Sequence, residues 1–525
     1  FNFRGSHEFG SSGILTAIIF CALFLRLSTI DSPLGGDEAI SFNRYSHLGI
    51  LELLLNYPDS NQHAFFSILS NFCLLILGGY EFAFRFPSLF VGVLVVPLVY
   101  YTGRSLGLSQ IISLASAFLM AIYTPHIFYS QEGRGYSLTV FLATSLVLSS
   151  IKILGTRGLW FWGSVLIISA TCMVITLPSN AVFVAGAAGF CCTFRIIRNS
   201  NSIAGPKYSS NNFMLCYVIS FLLITCYLGA NFSDIKFSAQ VNSIGEVTWK
   251  HFLGIAEFLV SPWGLWLYVF LIIGLISNIE KSIRYSLIAL FSLPIGLSFI
   301  TGVVGFARIY MYFSPFLLML VSVGFFFLYG KVVSINKNLG YAILVLSFLG
   351  ILYQPFLSML NKNNLSFGNG YMQDAIQLHA FIKKQPLNVL PVITNAASGR
   401  SILIHYLGDE IAQRMRLFVA GKKIEKILFL SKTGVPPNQH SLDQIFEDVN
   451  ISIPVEKNNL VESFGSFEVF EWDIKLSRLA PGESYLDYEK KVAGLNQSIK
   501  TYAIDNTKAV GQASLLIINP VLPPV

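Results

Sequence analysis

Charge is what this chain lacks most. Only 12% of its 525 residues are Asp, Glu, Lys or Arg, about half the share of a soluble domain. Hydrophobic residues make up 54% and the mean hydropathy is +0.62, which excludes a soluble enzyme and a disordered chain. The shortage is uneven: residues 1–360 hold 18 Lys+Arg and 12 Asp+Glu, whereas residues 361–525 hold 17 and 16. The first two-thirds therefore reads as membrane and the last third as ordinary globular protein. Cysteine is scarce as well. There are seven, none beyond Cys226, so the polar third is not a disulfide scaffold. Cys21, Cys73, Cys172, Cys191, Cys192, Cys216 and Cys226 all lie in apolar stretches and read as buried packing residues. The chain has no CxxC, no Cys/His zinc spacing, no GxGxxG and no P-loop, so neither zinc nor a nucleotide is assigned. Internal repeats and low-complexity runs are missing too. Much of the net charge of +7 sits in short loops and gives no reason to expect nucleic acid.

Long apolar runs are what the chain has instead. A hydrocarbon core of about 30 Å needs about 20 apolar residues. Eleven runs qualify, near 13–30, 83–103, 108–127, 135–154, 159–177, 180–197, 213–230, 263–279, 284–302, 308–330 and 338–358. Residues 63–78 are apolar but short and read as an interfacial helix. With eleven spans and a cytoplasmic N-terminus, Arg104, Lys152, Arg157, Arg195, Arg198, Lys207, Lys281, Arg284, Lys331 and Lys337 all fall inside, as the positive-inside rule requires. A twelfth span at 63–78 would reverse them. Among the acids of the membrane part, Asp31, Asp37, Glu38, Glu52, Asp59, Glu81, Glu132, Asp234, Glu246 and Glu257 then fall outside and only Glu280 inside. The first apolar run has no small-residue cleavage site and reads as a retained anchor; residues 1–13 (FNFRGSHEFGSSG) read as an expression-tag remnant. Residues 14–360 are thus expected to form a membrane domain and 361–525 an extracytoplasmic α/β domain. In the latter, 372–385 and 398–408 read as helices and 388–395, 424–431 and 467–474 as strands.

Polar groups that could do chemistry gather on the outer side. Gly35-Gly36-Asp37-Glu38 follows the first span. Two adjacent carboxylates there can act on a ligand or merely cap a helix over 38–55. Tyr129-Ser130-Gln131-Glu132-Gly133-Arg134-Gly135-Tyr136 joins the third span to the fourth. Its Arg can grip a phosphate and its Tyr can orient oxygens or stack on a sugar, or the two ends can form a local Glu–Arg pair with interfacial tyrosines. His63, in Asp59-Ser60-Asn61-Gln62-His63, opens the interfacial helix, and Arg308-Ile309-Tyr310 enters the tenth span. Arg26 and Arg85 are lesser candidates. A channel or carrier would place ionisable groups at mid-membrane depth instead. The alternatives that stay open are a transporter or lipid flippase with an external domain and a non-catalytic binding subunit.

Gly36-Asp37-Glu38-Ala39, His63-Ala64-Phe65-Phe66, the run Gly78-Gly79-Tyr80-Glu81-Phe82-Ala83-Phe84-Arg85-Phe86-Pro87-Ser88 and the Tyr129–Tyr136 segment occur in this order. Over residues 20–150 the chain resembles the polyprenyl-phosphate-sugar-dependent glycosyltransferases of the GT-C fold. These include protein O-mannosyltransferases, aminoarabinose transferases of lipid A and galacturonosyltransferases of lipopolysaccharide core. It departs from them at His63-Ala64-Phe65, where the family usually has His-Pro-Pro. The resemblance implies an α-helical polytopic membrane protein of about eleven transmembrane helices plus interfacial helices, with a C-terminal α/β domain. It also implies an inverting transfer from a polyprenyl-phosphate (undecaprenyl-type) sugar donor to a glycan, lipid or protein acceptor. In that reading Asp37 is the general base and Glu38 a supporting carboxylate. Arg134, Arg308 and His63 hold the donor phosphate, and Glu132, Tyr136 and Tyr310 orient Arg134 and the sugar. A divalent cation on Asp37 and Glu38 is left open. The expected setting is a bacterial inner membrane with the active face toward the periplasm.

Overall fold

The computed structural model describes residues 8–28, 30, 34–46, 48–78, 81–154, 159–201, 211–241, 248–261, 263–301, 305–360, 369–393, 400–419, 426–433 and 460–473. Residues 1–7, Asp31, and the Asn-x-Ser/Thr triplets at Asn364, Asn450 and Asn496 lie outside them. The chain divides into two units: Phe1–Ser32 with Leu48–Leu365, and Pro33–His47 with Ser366–Val525.

In chain order the helices begin with α1 (Glu8–Leu27), α2 (Gly36–Tyr45), α3 (Ile50–Leu55), α4 (Ala64–Leu77), α5 (Glu81–Ser105), α6 (Gln110–Ile122) and α7 (Thr124–Ser130). They continue as α8 (Tyr136–Leu154), α9 (Leu159–Thr176), α10 (Ala181–Asn201), α11 (Asn211–Ala230), α12 (Phe232–Val241) and α13 (Trp249–Val260). Next come α14 (Leu265–Ile276), α15 (Lys281–Thr301), a 3-10 segment (Ala307–Phe313), α16 (Ser314–Ile335) and α17 (Lys337–Leu360). All but α2 belong to the first unit.

Among the described residues six helices are long and apolar enough to cross a membrane: α5, α8, α10, α11, α15 and α16. The bent pair α6–α7 makes a seventh if counted as one span. The other four runs read from the sequence fall on shorter apolar helices, Ser12–Leu27, Trp160–Thr176, Trp266–Ile276 and Lys337–Tyr353. Helix α4 has 14 residues, about 21 Å at 1.5 Å per residue. Length alone therefore does not separate it from those four. Phe20, Phe24, Trp160, Phe161, Phe221 and Ile300 are exposed on the outer helix faces, a surface suited to lipid rather than water.

Packing centres on α8, which is 89% buried over its apolar stretch. Some of its hydroxyls are satisfied within the helix: Thr144 Oγ1 donates to the Val140 carbonyl and Ser150 Oγ to that of Leu146, both at 2.7 Å. At the α14–α16 crossing, a Cβ on Gly274 or Gly324 would collide with the facing backbone at Leu320 or Phe270. Small residues let such helices touch directly, without side chains between them. The seven cysteines are all free, and the expectation of burial holds only in part. Cys191 and Cys216 are buried and Cys73 and Cys172 half-buried, but Cys21, Cys192 and Cys226 are exposed on helix faces. An apolar sequence context does not distinguish a core-facing thiol from a lipid-facing one.

The run 108–127, read as one span, is broken by 58° between α6 and α7, with Pro125 in the first turn of α7. A break frees carbonyls that lipid cannot satisfy. Arg26, fully buried, donates to the Ala121 carbonyl at 2.9 Å and the Met120 carbonyl at 3.4 Å. It also donates to Ser130 Oγ at 3.3 Å and to His126 Nδ1 at 2.9 Å. Arg26 is thus a structural cap. Arg85, also buried, donates to the Ile30 carbonyl at 2.8 Å.

The second unit contains α2, α18 (Asn369–Lys384), β1 (Val389–Ile393), α19 (Arg400–Val419), β2 (Lys426–Lys432), β3 (Leu460–Phe464) and β4 (Phe467–Asp473). The sheet order is β1-β2-β4-β3. Strands β1 and β2 are parallel, with α19 as the crossover, while β4 runs antiparallel to both of its neighbours. Arg414, on α19 and buried, donates to the carbonyls of Ile382, Gln385, Pro386 and Val389 at 2.5–3.0 Å and pairs with Glu410 at 2.8 Å. It thereby binds α19 to the end of α18 and the start of β1. Strand β3 was not among the expected strands. Its burial is exposed at four of five positions, so it carries no alternation to read.

Candidate functional site

The turn between α7 and α8 is held from several directions. Gln131 Nε2 donates to the carbonyls of Leu25 and Arg26 at 3.0 and 3.2 Å, closing the end of α1. Ser88 Oγ of α5 donates to the Arg134 carbonyl at 2.7 Å. The Arg134 N–H donates to the Glu132 carbonyl at 2.8 Å. Gly135 donates its N–H to His63 Nδ1 at 2.8 Å. On the other side, the loop before α4 is pinned by Asn61 N–H to Asp59 Oδ1 at 2.7 Å and by Gln62 Nε2 to the Leu53 carbonyl at 3.0 Å. Two segments about 70 residues apart are thus fixed against each other by short polar contacts.

Three of the expected site residues meet on one phenol. Tyr136 Oη accepts from Arg308 Nε at 2.8 Å and from Arg134 Nη2 at 3.4 Å. Both guanidinium carbons lie 5.6 Å from the Tyr136 ring centre, within cation–π range. The His63 ring meets Tyr136 edge-on at 5.0 Å. Arg134 is 1% exposed and His63 2%, whereas Arg308 is half-buried. Both Arg134 terminal nitrogens also donate to Asn61 Oδ1 at 3.2 Å. Asn61 was not singled out from the sequence. The polar run 59–62 between two apolar helices was its only signal, and that run does not say which side chain reaches Arg134.

His63 has a defined proton. Its Nδ1 accepts from Gly135, so the neutral ring carries hydrogen on Nε2, and that buried atom has no hydrogen-bond partner among the described residues. Burial, with Arg134 and Arg308 close by, holds His63 well below its ordinary value of 6.5. In the unfolded chain the ring titrates normally, so below about pH 6.5 the unfolded state takes up a proton that the folded state refuses. Stability therefore falls with pH there, by up to about 1.4 kcal/mol per unit. The detergent-solubilised protein is expected to melt lower at pH 5.5 than at 7.5, and His63→Gln to lose part of that difference. The same difference in both proteins would exclude His63 as its source.

Gly135 is required by space. A Cβ there would overlap the Thr176 methyl and sit 2.8 Å from His63 Nδ1. Gly135→Ala is expected to cost about 1–3 kcal/mol and to lower activity by displacing His63. Adding Thr176→Ser, which removes the methyl, should recover part of the stability in thermal unfolding; no recovery would place the strain elsewhere.

The other expected residues make contacts of their own. Tyr310 is buried, its hydroxyl 3.2 Å from Ser298 Oγ and its ring stacked on Phe313 at 6.4 Å. Asp37 and Glu38 are carried by α2 in the second unit. The expected helix over 38–55 is in fact two helices, α2 and α3, with Gly49 capping the second. Glu38 is buried and its Oε2 accepts the Gly35 N–H at 2.9 Å, closing the first turn of α2. Asp37 is exposed. Consecutive helical residues diverge by about 100°, so the pair does not form a chelate by itself. Among the described residues no three His, Cys, Asp or Glu side chains gather as a metal site. At the triplet beginning with Asn231, the Asn is buried and its amide donates to the Leu54 and Tyr227 carbonyls, which withholds it from glycosylation.

Residues 70–241 match the family described as dolichyl-phosphate-mannose-protein mannosyltransferase. No curated protein matches the chain by sequence. Among solved structures, ArnT from Cupriavidus metallidurans bound to undecaprenyl phosphate aligns over 89% of this chain and 98% of its own, with TM-score 0.55 and 11% identity. Its apo state aligns over 88% and 98%, with TM-score 0.52 and 10% identity. The archaeal oligosaccharyltransferase AglB from Archaeoglobus fulgidus, in complex with an inhibitory peptide and a dolichol-phosphate, aligns over 80% of this chain and 69% of its own, with TM-score 0.51 and 11% identity. The chain therefore has the GT-C fold that its sequence motifs resemble, and residues 70–241 are the part that matches the mannosyltransferase family.

Proposed function

We propose that the protein is an integral-membrane glycosyltransferase that moves a sugar from a polyprenyl-phosphate carrier to an acceptor hydroxyl at the extracytoplasmic face. One observation carries this reading: Arg134 and Arg308 converge on Tyr136, beside a neutral His63 whose Nε2–H has no acceptor among the described residues. Two fixed guanidiniums and one N–H donor suit a phosphate monoanion or diester. The lipids named with the two structural relatives, undecaprenyl phosphate and dolichol-phosphate, supply the chemical class.

The donor's isoprenoid tail stays in the bilayer and its sugar phosphate reaches the outer boundary. The acceptor oxygen attacks the anomeric carbon as Asp37 takes its proton. The anomeric C–O bond to phosphate breaks, its electron pair stays on the phosphate oxygen, and Arg134 and Arg308 stabilise the growing charge. One displacement inverts the anomeric centre and releases polyprenyl phosphate. The activated phosphate supplies the driving force, so no nucleotide is needed. Glu38 keeps the first turn of α2 in place, Tyr136 holds both guanidiniums and Asn61 that of Arg134, and Glu132 and Tyr310 help orient Arg134 and the sugar. The acceptor is a protein, lipid or glycan hydroxyl, and the setting is a bacterial inner membrane facing the periplasm.

Mass spectrometry of glycolipids and glycoproteins, with the gene present and deleted, tests the reading and names the sugar. Loss of one modification on deletion, restored by the wild type but not by Asp37→Asn, is expected. An unchanged glycan profile would rule out the transferase.

A further inference from the structure

Asp37 sits on a helix that belongs to the α/β unit. Helix α2 has ten residues, fewer than the roughly 12–15 an isolated helix needs in water. Something must hold it, and the contacts identify what does. The Leu34 N–H, just before α2, donates to Tyr406 Oη at 3.0 Å. Near its other end, Asn43 Oδ1 lies 3.3 Å from His405 Nδ1. An amide oxygen only accepts, so Nδ1 carries the proton. The same imidazole meets Phe42 edge-on at 5.1 Å and Tyr406 at 4.8 Å. Two adjacent side chains of α19 thus fasten both ends of α2, with Asp37 between the two points.

Helix α19 is a firm base for this. Ile402, Leu403 and Leu407 are at most 2% exposed, and Arg414 ties the helix to α18 and β1 through four carbonyls. On α2 itself, Glu38, Ala39, Ser41, Phe42 and Tyr45 are buried, while Asp37 and Arg44 are exposed. These two stand seven residues apart and so share one helix face. Fastening α2 by its buried face fixes the direction in which the Asp37 carboxylate projects.

We infer that His405 and Tyr406 are positioning residues for Asp37, and that holding α2 is a function of the α/β unit. This rests on the reading of Asp37 as the general base. A carboxylate that must meet an acceptor hydroxyl in line with the anomeric carbon loses its advantage when it wanders by an ångström, at a cost on the order of tenfold to a hundredfold in rate. Donor-phosphate binding, assigned to Arg134, Arg308 and His63, does not depend on it.

The test uses the full-length protein with the donor sugar identified by gene deletion, and undecaprenyl phosphate as the binding probe. Tyr406→Phe removes one oxygen, His405→Ala removes the imidazole, and His405→Gln keeps an N–H donor. The Tyr406→Phe/His405→Ala double variant is expected to lower kcat about ten- to a hundredfold. Undecaprenyl phosphate affinity should stay unchanged, amide hydrogen exchange should rise at residues 36–45, and exchange in β1 and β2 should not. His405→Gln should recover most of the loss seen in His405→Ala. Unchanged kcat, unchanged exchange at 36–45, or an affinity that falls in step with kcat would each overturn the inference. Asp37→Asn is run alongside. If it retains the wild-type rate, the base assignment has failed; if it is inactive while the α19 variants are normal, only the positioning role has failed.

Discussion

Asn in place of Asp37 is expected to leave a folded protein that binds undecaprenyl phosphate normally but transfers sugar about 10²–10⁴ times more slowly, the usual worth of a general base. The exchange keeps the size and shape of the side chain and removes only its capacity to take a proton. Because Asp37 is exposed in the first turn of α2, the substitution disturbs no buried contact face. Glu38 provides the contrast. It is buried against the Gly35 N–H, and Glu38→Gln retains an oxygen that can accept this bond. That variant should lose far less rate than Asp37→Asn. Equal losses in the two, measured as transfer under saturating donor, would mean that the proton acceptor has been misassigned.

Arg134→Ala is expected to produce the second large effect, on binding and rate together. Its guanidinium is almost wholly buried, donates twice to Asn61 Oδ1 and once to Tyr136 Oη. Removing it takes away a charge-assisted donor worth about 1.5–3 kcal/mol for each bond to the phosphate, or on the order of a hundredfold in undecaprenyl phosphate affinity for one such bond. Arg134→Lys should recover only part of this, since an ammonium is a point charge without the planar fork. Arg308→Ala should be milder, because a half-buried cation is screened by water and salt. Affinity and rate both unchanged in Arg134→Ala would remove it from the phosphate site.

The membrane architecture was legible because its cause is local. Each run of apolar residues states its own solvent. Features that depend on one segment meeting another were less so. The break between α6 and α7 had a visible marker in Pro125, but its repair by Arg26, a century of residues earlier, had none. Arg134, Tyr136, His63 and Arg308 could be chosen by residue type and setting, and the fold brings them together. Asn61 could not, because an asparagine in a polar loop looks like every other. Tyr310 could be chosen in the same way, but the sequence does not announce that its hydroxyl lies 3.2 Å from Ser298 Oγ. The division of labour within Gly35–Glu38 was hidden as well. Only the helix start at Gly36 reveals that Glu38 closes the first turn while its neighbour Asp37 is on the exposed side of the helix.

The interleaving of the chain also sets a clock. Helix α2 is made early, but its fastening helix α19 begins about 350 residues later, on the order of 20–70 s at ribosomal speed. Throughout that interval the Gly-Asp-Glu segment has nothing to fold upon, while the bundle that follows it is already being inserted. A nascent chain therefore acquires its lipid-embedded scaffold first and its ordered carboxylate last. Translation arrested short of α19 would leave α2 without the helix that fastens it.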